Sequence, residues 1–415
     1  MSKIESVKLN NGLTIYFYTD KKRHSTFFQH ITLFGGSSKD FIVDGKEYHM
    51  QDGIAHILEH YIVEANANGN FLKILGEAQM ATNASTHYNM TRYYFEAVEK
   101  VEFGIKTILK SMYSPIFSSE KLEKIKKPIL QEIRGKMGSK FYHSNRKTLD
   151  NCFSKIRVRD IGGTLEEVAE TTVEDLKICF EAFYQPKNQF IVVGGNFDKD
   201  KILKIIKDFY KNLNIKEKSV KLIKMEEPKE VASNKGIVEF PTAKDYLEIT
   251  YKVNVKGLDI KERLKLDFYL HYFFNMYFGA TSDLYKKLVD EKIITTGLKC
   301  NDFSMEDYIL ISVGAYSEKN DLLEKYIRET FLKLESFNEE VFEIDKRESI
   351  IRLVLRKENL FDTIMPFVSN IVEFNYPYPD EVSDIETFNF NDFVNTIKGL
   401  DFSNSTITLI KNKET

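Results

Sequence analysis

The chain predicts an α+β fold of two similar domains, each an antiparallel sheet packed against helices. Three observations lead there. At 415 residues it is long for one hydrophobic core. A Lys/Glu-rich stretch over 214–235, holding Pro228 and no sustained periodicity, divides it. The same signal closes each side of that division. Thr172-Val173-Glu174-Asp175-Leu176 opens a helix leading into a strand at 188–195. Asn389-Phe390-Asn391-Asp392-Phe393 opens one leading into Ser405-Thr406-Ile407-Thr408-Leu409-Ile410. The domains are therefore 1–215 and 236–415, joined by a linker at 216–235.

The elements follow in order. Residues 6–18 alternate around Asn11-Gly12, the residue pair of a type I′ hairpin. A third strand spans 25–35 and ends at Gly35-Gly36. A helix then begins near Asp52, a candidate N-cap. A short helix near 70–79 precedes strands at 80–86 and 91–98. A helix at 100–112 stops before Pro115, and Ser118/Ser119 open a helical stretch to 136 that Pro128 should kink or divide. Residues 144–184 read as mostly helical, and a helix at 198–213 follows the strand at 188–195. The second half reads as a strand at 236–254, helices at 261–278 and 282–291, and strands at 296–302 and 306–316. Helices at 319–335 and 339–357 come after.

Composition excludes several classes. Hydrophobic residues make up 42% and charged ones 29%, ordinary for a soluble globular protein. A net charge of −3 gives no case for nucleic-acid or anionic-membrane binding. No segment reaches the roughly eighteen apolar residues of a membrane span. Met1-Ser2-Lys3-Ile4-Glu5-Ser6 is charged, so no signal peptide is expected. Cys152, Cys179 and Cys300 are odd in number and lack C-x-x-C spacing, which reads as free thiols in a reducing, cytoplasmic setting. Most of the Phe and Tyr belongs to cores, and the Lys-rich stretches 121–127 and 216–224 are solvated faces.

The chemistry concentrates in Gly53-Ile54-Ala55-His56-Ile57-Leu58-Glu59-His60-Tyr61. Ile54, Ile57, Leu58 and Tyr61 recur at helical spacing, so His56 and His60 stack on one face. Such a pair can fill adjacent corners of a tetrahedral zinc site, and equally it can be two surface or capping residues. Glu59 lies on the same side, within reach of a metal-bound water. H-x-x-E-H is the inverted zincin signature. A hydrolytic zinc site takes three protein ligands and one open position, and the helix at 119–136 offers Glu120, Glu123 and Glu132 as the third. His143 and His271 read as packed or surface residues. His24, His30, His49 and His87 have no paired spacing.

Over essentially its whole length the chain resembles the pitrilysin/insulinase (inverted zincin) metallopeptidases, in their half-length, two-domain form. Residues 53–60 match the family's G-x-A-H-x-x-E-H. Thr82-Asn83-Ala84-Ser85-Thr86 resembles the N-A-x-T edge strand that pairs with substrate, and Thr91-Arg92-Tyr93-Tyr94-Phe95 the strand after it. Pro128-Ile129-Leu130-Gln131-Glu132-Ile133 resembles the segment that carries the third zinc ligand. Gly162-Gly163-Thr164, Val173-Glu174-Asp175-Leu176 and Phe183-Tyr184-Gln185-Pro186 keep the family's order of landmarks. The resemblance implies zinc held by His56, His60 and Glu132, with Glu59 as general base. It also implies substrate-binding residues at Asn83, Ala84 and Ser85, with His87 nearby.

Two departures shape the expectation. The family often has a Glu seven residues before the ligand Glu; Ile125 stands there, leaving Glu64 or Glu123 to orient the site. An Arg and a Tyr seven residues apart often serve the oxyanion from the C-terminal domain; Val289 and Thr296 stand there. The resemblance thus implies a zinc endopeptidase subunit, one half of a clamshell. It would cut peptides in a chamber formed with a similar half-length partner that supplies the Arg/Tyr pair, or with a second copy. The alternative is a non-catalytic binding or scaffold subunit.

Overall fold

The computed structural model describes residues 3–156, 160–377 and 381–413. It is an α+β protein with three sheets packed on helices. The described residues fall into two units. The first draws on Met1–Lys136, Val158–Lys224 and Asn359–Pro379, the second on Met137–Arg157, Met225–Glu358 and Asp380–Thr415.

The first unit holds a six-stranded sheet in the order Lys3–Lys8, Thr14–Thr19, Gln189–Gly195, Thr26–Thr32, Thr91–Ala97, Ala81–Thr86. The second holds a five-stranded sheet in the order Lys235–Phe240, Ser405–Asn412, Tyr246–Asn254, Tyr308–Tyr316, Lys299–Met305. Apart from Lys3–Lys8, which has no counterpart among the described residues of the second sheet, the two orders correspond strand for strand. In each sheet one pair departs from the antiparallel pattern: the closing strand lies parallel to Thr14–Thr19 in one and to Lys235–Phe240 in the other. A small sheet of Asp40–Val43, Lys46–His49 and Val220–Leu222 completes the first unit.

Each large sheet is covered on both faces, and one cover in each comes from far along the chain. The first sheet packs Leu13, Ile15, Phe28, Tyr93 and Phe95 against the helices Ile54–Glu64 and Val101–Met112. Its other face buries Phe27, Ile31, Phe190 and Val192 under Leu360, Ile364, Phe367 and Val368 of helix Leu360–Phe374. In the second unit helix Lys140–Cys152 lies on Ser405–Asn412, where Thr148 and Thr408 share a hydroxyl hydrogen bond of 2.7 Å. Alternation on a strand leaves apolar side chains on both faces, so a two-sided cover is the way to bury them.

Several local expectations change. The first hairpin turns through residues 9–13, with Gly12 at φ +87 and Asn11 outside the left-handed region, so the turn is not type I′. Asn11 instead accepts from the Leu13 amide at 3.2 Å. The His helix starts at Gly53, and Asp52 pairs with Lys39 rather than capping. Pro128 sits inside an unbroken helix, Ser119–Met137. A mid-helix proline costs about 3 kcal/mol, but Leu122, Ile125, Ile129 and Ile133 are buried on both sides of it. At about 1.5–3 kcal/mol each they outweigh that cost. The run 236–254 is two strands separated by 241–245. Helix Leu360–Phe374 was not anticipated, though Asn359 caps it by accepting from Asp362.

The stretch after Lys224 is anchored by an ion pair between Glu227 and Lys252 at 3.2 Å, with side chains 3% and 0% exposed. Glu227 also accepts from the amides of Ser154, Lys155 and Ile156. Lys252 donates to the carbonyls of Pro228 and Glu230 and lies over the Tyr308 ring. Removing one member of such a pair strands the other charge. Glu227→Ala is expected to cost about 3–5 kcal/mol, read as a fall in urea midpoint. An unchanged midpoint would show that the anchor is dispensable.

In the first unit His30 is fully buried, its Nε2 2.7 Å from the Tyr210 hydroxyl. Burial holds its pKa down to about 3. The folded value lies below the unfolded one, so the unfolded chain takes up a proton that the folded chain refuses. Stability is complete above about pH 6.5 and lost as pH falls toward 3, at up to about 1.4 kcal/mol per pH unit. Unfolding at pH 7.5 and pH 5 should show a smaller acid loss in His30→Gln than in the parent chain.

Candidate metal centre

The His helix, Ile54–Glu64, buries Ile54, Ala55, Ile57, Leu58, Tyr61 and Ile62. That apolar stripe turns His56 and His60 to the opposite face, one turn apart. Gly53, at φ +85, starts the helix against Gly163, at φ +74. A Cβ on Gly53 would stand 2.5 Å from the Gly162 carbonyl oxygen, and one on Gly163 would stand 2.4 Å from that of Asp52. Only glycine fits on both sides of this contact. The Tyr61 hydroxyl donates to the Ile116 carbonyl at 2.8 Å and accepts from the Ser118 amide at 2.7 Å. The Tyr61 ring stacks on Phe117 at 5.3 Å. The His helix thereby fixes the start of Ser119–Met137, the helix of Glu132.

The result brings three side chains together. His56 Nε2 and His60 Nε2 stand 3.2 Å apart. Glu132 places Oε2 3.8 Å from the first and Oε1 3.9 Å from the second. A tetrahedral ion with bonds of about 2.0–2.1 Å needs ligand atoms about 3.3–3.4 Å apart, so the donor set fits zinc in type and spacing. Burial pushes His56 down to about 3, helped by the charges of His60 and Lys136. Burial also lowers His60, against the opposing charges of Glu132 and Glu64. Both imidazoles are therefore neutral near pH 7, the form that donates a lone pair. His56 Nδ1 is buried with no hydrogen-bond partner among the described residues.

Glu59 is 6% exposed, and Thr86 Oγ1 donates to its Oε2 at 2.6 Å. Its pKa is pushed up to about 7, first by burial and then by the charge of Glu132; the Thr86 hydrogen bond and Arg92 act the other way. A carboxyl poised there can both take and return a proton. A cleft of about 510 Å³ joins His56, Glu59, His60 and Glu132 to Asn83, Ala84, Ser85 and Thr86. Those four belong to Ala81–Thr86, the last strand of its sheet, whose outer side pairs with nothing among the described residues. Asn83 Oδ1 accepts from the Ala84 amide at 2.9 Å.

Other candidates lie elsewhere. Glu120 pairs with Lys124 on the surface, and Glu123 with Lys126. Glu64 lines the cleft, while Ile125 is in the core. In the second unit Val289 is 43% exposed and Thr296 is exposed. His271 meets Arg352, and His143 the Met137 carbonyl. Sequence reasoning gave no role to Thr86, Lys136 or Asp160–Gly162, which also line the cleft. Thr86 had a signal: it is two residues beyond buried Ala84 and so shares its face.

Residues 170–348 match the family model described as the Peptidase M16 inactive domain. That stretch excludes His56, Glu59, His60 and Glu132. The chain is 30% identical over 204 residues to the uncharacterized zinc protease YmfH of Bacillus subtilis, covering 48% of this chain and 47% of that protein. It thus spans about half of YmfH's length. It is 23% identical over 363 residues to the zinc protease PqqE of Helicobacter pylori, covering 83% and 78%. In fold it is similar to a putative M16-like peptidase from Alicyclobacillus acidocaldarius, with a TM-score of 0.88 at 24% identity over 99% of this chain and 98% of that one. With helix-backed sheets of the same kind and a similar length, the chain fits the half-length type of the peptidase M16 (pitrilysin/insulinase) family.

Proposed function

We propose that the chain is a zinc-dependent endopeptidase subunit acting on peptides or small unfolded polypeptides. The convergence of His56, His60 and Glu132 within 4.8 Å, beside a buried Glu59, carries this reading. Those three side chains would hold the ion. When bound, zinc supplies a Lewis acid and a water of lowered pKa. Glu59 takes a proton in the cleft and returns it to the leaving amine, and Thr86 holds its carboxyl toward that task. A peptide adds as a strand along Ala81–Thr86, with Asn83, Ala84 and Ser85 at its side; backbone hydrogen bonds give affinity and leave side-chain choice loose.

The reading includes a chamber completed by a partner. Val289 and Thr296 cannot make charge-assisted bonds to an oxyanion, so a similar half-length subunit with an Arg/Tyr pair is the favoured partner, and a second copy the other. We place the chain in the cytoplasm: Cys152, Cys179 and Cys300 are all free thiols. Among the described residues no helix is long and apolar enough to cross a membrane. A non-catalytic scaffold subunit is the second reading, favoured by the same missing pair and by a family match to a domain described as inactive.

Glu59→Gln should lower kcat by about 10²–10⁴-fold while zinc content stays near one per chain. Full activity in that variant would remove Glu59 from the mechanism. His56→Ala and Glu132→Gln should each lose zinc by elemental analysis, and chelation of the parent chain should abolish cleavage reversibly. No zinc in the metal-replete parent chain would favour the scaffold.

A further inference from the structure

The peptide-docking strand has two faces: Thr86 meets Glu59 on one and Ser85 meets Arg92 on the other, although Thr86 and Ser85 both line the cleft. On Thr91–Ala97, the strand beside it, Tyr93 and Phe95 point into the core under the His helix. Arg92 and Tyr94 point to the other face, toward helix Leu360–Phe374. Arg92 is paired in register with Ser85 of the edge strand, and its Nε donates to Ser85 Oγ at 2.7 Å. Its guanidinium lies 5.4 Å from the ring centres of both Tyr94 and Phe361, and Nη1 meets Met365 Sδ. Ser85 Oγ is also 3.2 Å from His87 Nε2. Glu96, four residues on along the same strand, accepts from Ser25 at 2.5 Å. Among the described residues no carboxylate stands within ion-pair distance of Arg92.

A partly buried guanidinium held on two rings, with one edge tied to Ser85 and no counter-ion, has lost water without gaining an anion. The rings and the Ser85 bond fix its plane, so little rotamer freedom is left to lose when an anion arrives. Burial lowers the Arg92 pKa somewhat, yet arginine keeps its charge near neutrality. His87 beside it is neutral, lowered to about 4 by burial and by Arg92 itself. The local charge is therefore that of a cation with no ion-paired carboxylate, felt by Glu59 across the strand.

We propose that Arg92 is a specificity residue that binds a carboxylate of the peptide strand docked on Ala81–Thr86. Successive residues of an added strand point to opposite faces. When one side chain enters the metal cleft beside Thr86, its neighbour is presented on the face of Ser85 and Arg92. A carboxylate there accepts charge-assisted hydrogen bonds from the free edge of the guanidinium. The substrates favoured are acidic peptides, with the carboxylate on a side chain or at the peptide's own C-terminus. This inference rests on the edge-strand docking of the peptidase reading and needs no turnover.

The test uses the full, zinc-loaded Glu59→Gln chain and short fluorescent peptides, read by anisotropy. One set moves a single Glu or Gln through an otherwise neutral peptide; another compares a free C-terminal acid with its amide. One acidic peptide should bind about tenfold or more tightly than its neutral twin. Arg92→Gln should erase that difference while leaving the neutral peptide's affinity unchanged, and Arg92→Lys should keep part of it. Which set shows the preference identifies the source of the carboxylate. Absence of a charge preference, or its survival in Arg92→Gln, overturns the proposal. If the Glu59 chain cuts peptides without charge preference, this inference fails alone. Binding that depends on Arg92, without cleavage by any assembly containing Glu59, would leave it standing and remove the peptidase reading.

Discussion

The site depends on a contact between two backbones. Gly53 and Gly163 both take left-handed conformations, and each stands where a Cβ would meet the other's carbonyl neighbour. Because neither has a side chain, the loop at 160–163 presses directly on the first turn of the His helix. That contact sets where the helix begins, and hence which face carries His56 and His60. It also brings Asp160, Ile161 and Gly162 to the wall of the cleft. A methyl group at either glycine would separate the two segments at the point where His56, His60 and Glu132 converge.

Electrostatics then follow from burial. The imidazoles lose their protons because charging them in a partly dry cleft is costly, and for the same reason Glu59 is held near neutrality. Glu132 differs: it is 46% exposed and faces the two rings. One cleft thus offers two neutral nitrogen donors and one carboxyl oxygen donor from three adjacent side chains, while Thr86 engages Glu59 outside that set.

Much of this was legible in the chain, and the limits have physical causes. The stacking of His56 on His60 is local, four residues on a helix whose apolar stripe is plain. The convergence of Glu132 on them depends on how two helices pack, and no local signal separates it from Glu120 or Glu123. The strands were readable from alternation, while the parallel closing pairs were not, since hydrophobic pattern does not encode direction. Asp52 had the composition of a cap, but Lys39, distant in sequence, claimed its carboxylate. Helix Leu360–Phe374 carries Pro366 and an aromatic start, which blur its period. That it covers the first sheet could not be read from neighbours in sequence, because its partners lie at 27–31 and 190–192. Arg92 looked like an ordinary strand residue until its aromatic setting and missing counter-ion were visible.

The origin of that cover bears on how the protein is made. Until residues 360–374 have left the ribosome, Phe27, Ile31, Phe190 and Val192 have no lid, although every strand of their sheet already exists. The second sheet waits longer, since Ser405–Asn412 fills an interior position between two strands synthesised far earlier. Neither unit can mature as an autonomous nascent domain, and one apolar face of the first sheet stays open until residues 360–374 have been made. Completion of each unit thus waits on a later stretch of chain, rather than following the stepwise order its two-unit layout suggests.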